Sequence, residues 1–380
     1  MLIEDNRPPD RRWWAGLVWD SEGYGTALLD ESGTVVARER FDRCGPEAPA
    51  AWLARWAARV HGGLVTVFES SNGVMDGLLL VGGLHVLRVD LRHLPRTDAD
   101  AAVLADAARR GLVPTVPVGL AGGTLGDRSD EMRRANASVA TLQDELNRSG
   151  RLVTTCPGAP AGPPRVALTF DDGPSPLHTD RVLRILKSFG VPAAFFCVGL
   201  QVRARPDLVR RMVDEGHEVG NHTWSHAYLP ELGEDETVRQ LRTTSRVIAE
   251  ATGVPPVLAR PPYGGRGGTV LRATADEGLT TVLWDVEASD WTLPGADAIA
   301  DSVLRQARDG SVVLLHDGGG ERDQTVAALP RIIGGLLDRG FQFSGIAGPA
   351  GLLPPAAAQP AAGAPHSVTR ERDHAPLRHR

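Results

Sequence analysis

Cysteine is scarce in this 380-residue chain, and its three examples, Cys44, Cys156 and Cys197, show no C-x-x-C spacing. That argues against both a disulfide framework and a thiolate zinc site. Cys197, within AAFFCVG, reads as a small core residue. Lysine is scarcer still: Lys187 stands alone, so arginine carries nearly all the positive charge. With a net charge of -6, the chain has no overall attraction to nucleic acid or to an anionic membrane surface. Long apolar runs are also missing. MLIEDNRPPDRRWW puts charges where a signal peptide would place its apolar stretch, and no run is long enough to cross a bilayer. The expected location is therefore cytoplasmic, with no membrane partner, and export by another route is the alternative. No repeat of solenoid period is present.

What is there divides by composition. A first region covers 13–152, a Pro/Gly/Ala linker containing CPGAPAGPP covers 153–164, a second region covers 165–346, and a tail poor in bulky apolar residues covers 347–380. The linker cannot sustain helix or sheet, and the tail is expected to be disordered. In the second region, short apolar runs (RVALTF, AAFFCVG, HEVGNH, VLARP, TTVLWDV, SVVLLH, FQFSGI) alternate with amphipathic windows such as TDRVLRILKSFG. That alternation predicts an α/β fold with parallel strands covered by helices. About seven such units point to a (β/α) barrel, incomplete or distorted, whose active site would lie where the strands end.

The reactive residues cluster at those expected ends. Asp171 and Asp172 close the first strand, Asn221 and His222 the third and Arg260 the fourth; Asp285 follows the fifth, and His316 with Asp317 closes the sixth. In VALTFDDGPS two adjacent carboxylates repel unless a cation relieves them, so one of the pair would hold a metal while its neighbour handles a proton. NHTWSH sets His222 and His226 four apart, a spacing that on one helical turn aims both imidazoles at one cation. One carboxylate with two neutral nitrogens is the ligand count of a catalytic metal site, with positions left for water and substrate. Such a donor set suits zinc and also accepts cobalt, manganese or nickel.

TFDDGPS, HTWSH, RPPYG, the DW of EASDW and LLH, in this order, resemble the polysaccharide deacetylases of carbohydrate esterase family four over 165–346. The resemblance implies a distorted (β/α) barrel that uses a divalent metal to remove acetyl groups from N-acetylated sugars. It makes Asp172, His222 and His226 the metal ligands, Asp171 the general base and His316 the acid that protonates the departing amine. It also implies that Arg260 pairs with the base, that Asp290 pairs with His316, that the backbone N–H of Tyr263 helps hold the oxyanion, and that Trp291 and Leu314 form a pocket for the acetyl methyl. One departure is Glu287, where the family usually carries aspartate. His178, His217 and Asp317 receive no role, and a structural part is expected of the two histidines.

The first region is different. A ribbon with Asp20, a strand end with Glu69, and Asp98 and Asp100 at a helix start resemble the ribonuclease-H-like domain of DEDD-type insertion-sequence transposases, where four acids bind two metals. Here the last two acids are two apart and basic residues do not predominate, so a smaller α/β domain without nuclease activity is expected. The leading function is a metal-dependent N-deacetylase acting on an N-acetylglucosamine-containing glycan or oligosaccharide. The alternatives are a nucleic-acid-processing or nucleic-acid-binding protein working through residues 13–152, and a glycan-binding pseudoenzyme.

Overall fold

The structure is a computed structural model, and it describes residues 12–19, 23–42, 47–61, 63–68, 75, 78–80, 82–89, 100–113, 115–118, 139–158 and 162–346. These residues form two sheets. In the first, β1 (Trp13–Trp19), β2 (Gly23–Leu29) and β3 (Val35–Asp42) make an antiparallel ribbon, and β4 (Leu64–Phe68) and β5 (His85–Val89) continue from β1 in parallel. An antiparallel edge strand, β6 (Thr115–Val118), completes the order β3-β2-β1-β4-β5-β6. Successive residues of a strand face opposite ways, and both faces are covered. Ala15 and Leu17 join Trp52 and Leu53 of α1 (Glu47–Ala57), whereas Trp14 lies in a cluster with Leu104 and Ala105 of α2 (Ala101–Arg109). The α2 helix sits so close to β1 that a Cβ at Gly16 would lie 1.7 Å from the Ala101 carbonyl oxygen, which is why glycine stands there. Asp100 caps this helix by accepting from Ala102 N–H at 2.7 Å, and Asp30 folds the β2–β3 turn by accepting from the Ser32 and Thr34 amides.

The second sheet has the order β13-β14-β8-β9-β10-β11-β12-β7, all parallel, with β15 also paired to β8. Its strands are β7 (Leu152–Val153), β8 (Arg165–Asp171), β9 (Ala194–Cys197), β10 (Glu218–Asn221), β11 (Leu258–Ala259), β12 (Thr280–Val282), β13 (Val286–Glu287), β14 (Ser311–His316) and β15 (Gln342–Phe343). β12 and β13 lie near opposite ends of this order, yet only residues 283–285 join them, a reach of roughly 14 Å at most. The sheet must therefore curl until its ends nearly meet, giving the distorted, incompletely closed barrel. Outward residues Val166, Leu168, Phe170 and Phe195 pack in the cluster that holds Val182, Leu183 and Leu186 of the covering helix Thr179–Phe189; inward ones, Ala167, Ala194 and Phe196, fill the centre.

Two expectations need adjusting. Helix α3 (Ala140–Arg148) and Leu152 of β7 fall by composition in the first region and Val153 in the linker, but they attach to the barrel: β7 pairs with β12, and Leu142 and Leu146 pack against Leu152, Leu271 and Leu283. Composition misses this because apolar contacts ignore distance along the chain. The linker also begins later than 153, since Cys156 is buried in the barrel and donates its N–H to Gly310 O at 2.8 Å. The sheets touch through an ion pair of 2.8 Å between Arg88 on β5 and Glu231, just beyond His226. The tail at 347–380 lies outside the described residues. No helix among the described residues is long and apolar enough to cross a membrane.

Candidate active site

Strand β8 ends on Asp171, and its neighbour Asp172 adopts a left-handed backbone (φ 77°) ahead of a cis Gly173-Pro174 bond. Thr223, His226, Tyr263, Ser289 and Leu293 are the other non-glycine residues with positive φ among those described, and all lie on loops beyond the strand ends. Such conformations cost of order 1–3 kcal/mol each and persist only where surrounding contacts enforce them. Their concentration at one mouth locates the site.

Asp171 and His316 are direct neighbours in the β8–β14 register, and Leu314 stands opposite Thr169 one layer deeper on the same inward face. Arg260, fully buried, donates from Nη1 to Asp171 Oδ1 at 2.7 Å and to Thr169 Oγ1 at 2.8 Å, and from Nε to Val282 O at 3.2 Å. Its guanidinium also lies 4.1 Å from the Phe196 ring centroid. Removing either member of so deeply buried a pair would leave a charge without compensation, a loss of about 3–5 kcal/mol.

Asp172, His222 and His226 converge next to this pair. Asp172 Oδ1 stands 3.3 Å from His222 Nε2 and 3.0 Å from His226 Nε2, and all three residues are more than nine-tenths buried. His222 Nδ1–H donates to Arg260 O at 2.7 Å, so the proton sits on Nδ1 and the Nε2 lone pair faces inward. Asp172 Oδ1 has no hydrogen-bond partner. Lone pairs gathered this closely repel one another unless a cation lies between them, so the residues fit a divalent metal. The geometry does not come from a helical turn, as the spacing implied: residues 222–228 form an irregular loop. Asn221 Oδ1 accepts from Thr223 N–H at 2.8 Å, and Gln240 Oε1 accepts from the Trp224 and Ser225 amides at 2.9 and 3.0 Å; these bonds bend the loop until both rings meet.

Across the mouth, His316 Nδ1–H donates to Asp290 Oδ1 at 2.7 Å, while Asp290 Oδ2 accepts from His316 N–H at 2.9 Å and Thr325 Oγ1 at 2.8 Å. Burial alone would lower the His316 pKa, but Asp290, with the more distant charges of Asp172 and Asp171, raises it to about 9. Burial likewise works to raise Asp290, yet the positive His316 and its hydrogen bonds hold that carboxyl below its ordinary value. Trp291 is 52 % exposed at the rim whereas Leu314 is buried. The Tyr263 ring packs edge-on against His226 at 4.8 Å between centroids.

Several supporting residues were not legible as such in the sequence. Asp317 is fully buried and its N–H donates to Asp171 O at 3.1 Å. Thr179 Oγ1 donates to Asp317 Oδ2 and accepts from Ser175 N–H at 2.7 Å, so the loop carrying Asp172 is strapped to the end of β14. Burial, aided by the charges of Asp172 and Asp171 and opposed by the Thr179 bond, pushes the Asp317 carboxyl up to about 7. A Cβ at Gly319 would fall 2.1 Å from Asp172 Oδ2, so the glycine run after LLHD exists to let backbone approach the carboxylate. That run is the signal that could have found the cradle. Asp285 does not join the site: it accepts from Val312 N–H at 2.7 Å and Ser311 Oγ at 3.0 Å, near the start of β14 at the opposite end. His178 is buried against Ser175 Oγ (3.3 Å) and Glu321 (3.2 Å).

Of the four acids singled out in the first region, Asp20, Glu69 and Asp98 lie outside the described residues, and Asp100 serves as a helix cap paired with Arg38 at 2.7 Å.

Comparison with known proteins agrees with this geometry. Residues 158–282 match the polysaccharide deacetylase family. A chitooligosaccharide deacetylase of Sinorhizobium fredii is 46 % identical over 198 residues, covering 49 % of this chain and 92 % of that protein. A peptidoglycan-N-acetylglucosamine deacetylase of Bacillus cereus is 39 % identical over 180 residues, covering 47 % of this chain and 84 % of its own length. Among solved structures, a peptidoglycan N-acetylglucosamine deacetylase bound to an N-oxidanyl-benzamide superposes with a TM-score of 0.50 at 35 % identity, over 53 % of this chain and 93 % of that one. The chain belongs to the polysaccharide deacetylase family. It is a hydrolase of carbon–nitrogen bonds other than peptide bonds, from a family that depends on a divalent metal. These likenesses take in about half the chain, and they lend nothing to a nucleic-acid role.

Proposed function

We propose that the protein removes N-acetyl groups from an N-acetylglucosamine-containing glycan or oligosaccharide, with Asp171 as base and His316 as acid. Asp172, His222 and His226 would hold one divalent cation, zinc first by the softness of two imidazoles, with cobalt, manganese or nickel as alternatives. When bound, that ion supplies Lewis acidity toward the acetamide carbonyl and lowers the pKa of water. The observation that carries the reading is the placement of a carboxylate and an imidazole, Asp171 and His316, on adjacent strands beside the convergent lone pairs of Asp172, His222 and His226.

Asp171, aimed by the Arg260 hydrogen bond, takes a proton from the attacking water. His316 enters the reaction protonated, because Asp290 keeps its pKa above neutrality, and delivers its Nε2 proton to the nitrogen that leaves. An amine departs poorly without that proton, so His316 acts on the breaking bond rather than on binding. The Tyr263 amide, on a strained turn beside His226, is assigned to the developing oxyanion. Buried Leu314 and rim-exposed Trp291 are assigned to the acetyl methyl and the sugar around it.

Acetate release from penta-N-acetylchitopentaose tests this reading. Activity should vanish on chelation and return with zinc or cobalt. Asp171→Asn should keep its metal yet lose roughly 10²–10⁴-fold in kcat. Full activity in that variant, or release insensitive to chelator, would overturn the assignment. A panel of peptidoglycan fragments beside chitooligosaccharides then reads the preferred chain.

A further inference from the structure

The loop between β14 and the helix Asp323–Asp338 reads DGGGE, Asp317 to Glu321, and its three glycines bring almost no conformational preference of their own. Gly319 and Gly320 have positive φ, 70° and 133°. Yet this loop is pressed against the carboxylate of Asp172 and its backbone. A Cβ at Gly318 would fall 2.3 Å from Asp172 O, and one at Gly319 2.1 Å from Asp172 Oδ2, so where the glycines lie sets where that carboxylate can stand. A glycine run does not hold such a place by itself.

Arg322 holds it. This residue precedes the helix Asp323–Asp338, which Val326, Leu329, Ile332 and Ile333 anchor in the barrel's outer core, and its carbonyl accepts from Val326 N–H at 2.9 Å. From that fixed base the side chain, 5 % exposed, turns back over the loop: Nε donates to Gly318 O at 2.8 Å, Nη2 to Gly319 O at 3.0 Å and Nη1 to Glu321 O at 2.8 Å. Taking a guanidinium out of water is unfavourable unless its donors are met. Here the planar fork meets three carbonyls of one short loop, a geometry that donors gathered on a single ammonium nitrogen would not reproduce. A second tie approaches the Asp172 loop from another side. The buried His178 ring spans the two loops, with Nδ1 3.3 Å from Ser175 Oγ and Nε2 3.4 Å from Arg322 N.

We infer that Arg322 is the positioning residue for Asp172: it fixes the glycine loop that braces this carboxylate and thereby sets how tightly the cation is held. The inference rests on the reading of Asp172, His222 and His226 as metal ligands. Because Arg322 acts through Gly318 and Gly319 on one ligand of three, it governs metal affinity rather than the chemistry that follows once metal is bound.

Zinc affinity of the full chain, read without substrate by competition with a chromogenic chelator, tests this. Arg322→Met keeps a long side chain and removes every donor; affinity should weaken about 10- to 100-fold, and acetate release should recover as zinc is raised. Arg322→Lys keeps the buried charge but not the fork, and should weaken affinity about tenfold. It decides the question if Arg322→Met does not fold. Asp323→Ala is the control, since it removes the exposed pair with Arg181 and the acid of the helix's first turn while leaving the clasp in place. That variant should bind zinc as the parent does even where it melts at a lower temperature. A lower melting temperature with parental zinc affinity in the Arg322 variants, or a loss in Asp323→Ala as large as in Arg322→Met, would overturn the inference while leaving the proposed function standing. A parent that binds no zinc, cobalt, manganese or nickel would overturn the metal reading itself, and this inference with it.

Discussion

The two sheets handle charge in opposite ways. In the first, the ion pairs made by β3 are at the surface: Arg38 and Asp100 are 53 and 41 % exposed, and Arg40–Asp42 is similarly open. In the barrel, Arg260–Asp171 and His316–Asp290 are drawn inside, and positive-φ residues crowd the same mouth. Exposed pairs contribute up to about 1 kcal/mol and need no special architecture. Buried charge is expensive, so its survival among enforced, strained loops marks where the fold serves chemistry rather than stability. The first sheet's demanding features, Gly16 against Ala101 and the Asp30 turn, concern packing and chain reversal instead.

That contrast can be broken at graded points. The largest effect is expected from His222→Ala, which removes a lone pair from the convergent set. Metal content, read by atomic absorption, should fall to background, and turnover should drop by more than the roughly 100-fold that loss of an outer partner costs. Retained metal with normal turnover would show that these buried groups are merely structural.

Next is Gly319→Ala. The new methyl meets Asp172 Oδ2, so the carboxylate must move; metal affinity should weaken about 10- to 100-fold by competition with a chelator, as for a lost supporting contact.

Asp290→Asn sharpens the comparison through pH. The parent should lose kcat as pH rises through about 9, where His316 gives up its proton; removing the carboxylate lowers that pKa and should move the alkaline limb toward neutrality. Stability follows the same sign. Since the folded-state pKa of His316 is raised from 6.5, its contribution is complete below pH 6.5 and fades as pH climbs through about 9. An unmoved alkaline limb in the variant would remove His316 from the acid role.

The smallest effect belongs to the first sheet. Asp100→Ala deletes an N-cap and an exposed pair, costing about 1 kcal/mol in chemical denaturation. Acetate release should be unchanged, and a matching loss of turnover would tie the first sheet to catalysis.

Much of the barrel could be read from local pattern. TFDDGP ends β8 as its apolar run and turn residues imply, and TDRVLRILKSFG forms a helix stopped by Gly190 in the left-handed conformation. The motif residues gather at strand ends because loops there share one mouth. Harder to read were relations between distant segments. Asp285 looks like another strand-end acid but bonds at the opposite end, because the curl carries β12 past the closure point before β13 begins. The His222/His226 convergence was expected from a helical period, whereas Asn221 and Gln240 impose it on a loop.

Residue order along the chain determined which side chains can bind metal or carry protons, and which strand each terminates, since both follow from side-chain type and the period of apolar positions. Tertiary structure decided which of them meet. The strap from Ser175 through Thr179 to Asp317, the glycine that lets backbone reach Asp172, and the attachment of α3 and β7 to the barrel all depend on distances across the curl of the sheet. Spacing along a sequence does not encode those distances, because burial and hydrogen bonding act between neighbours in space.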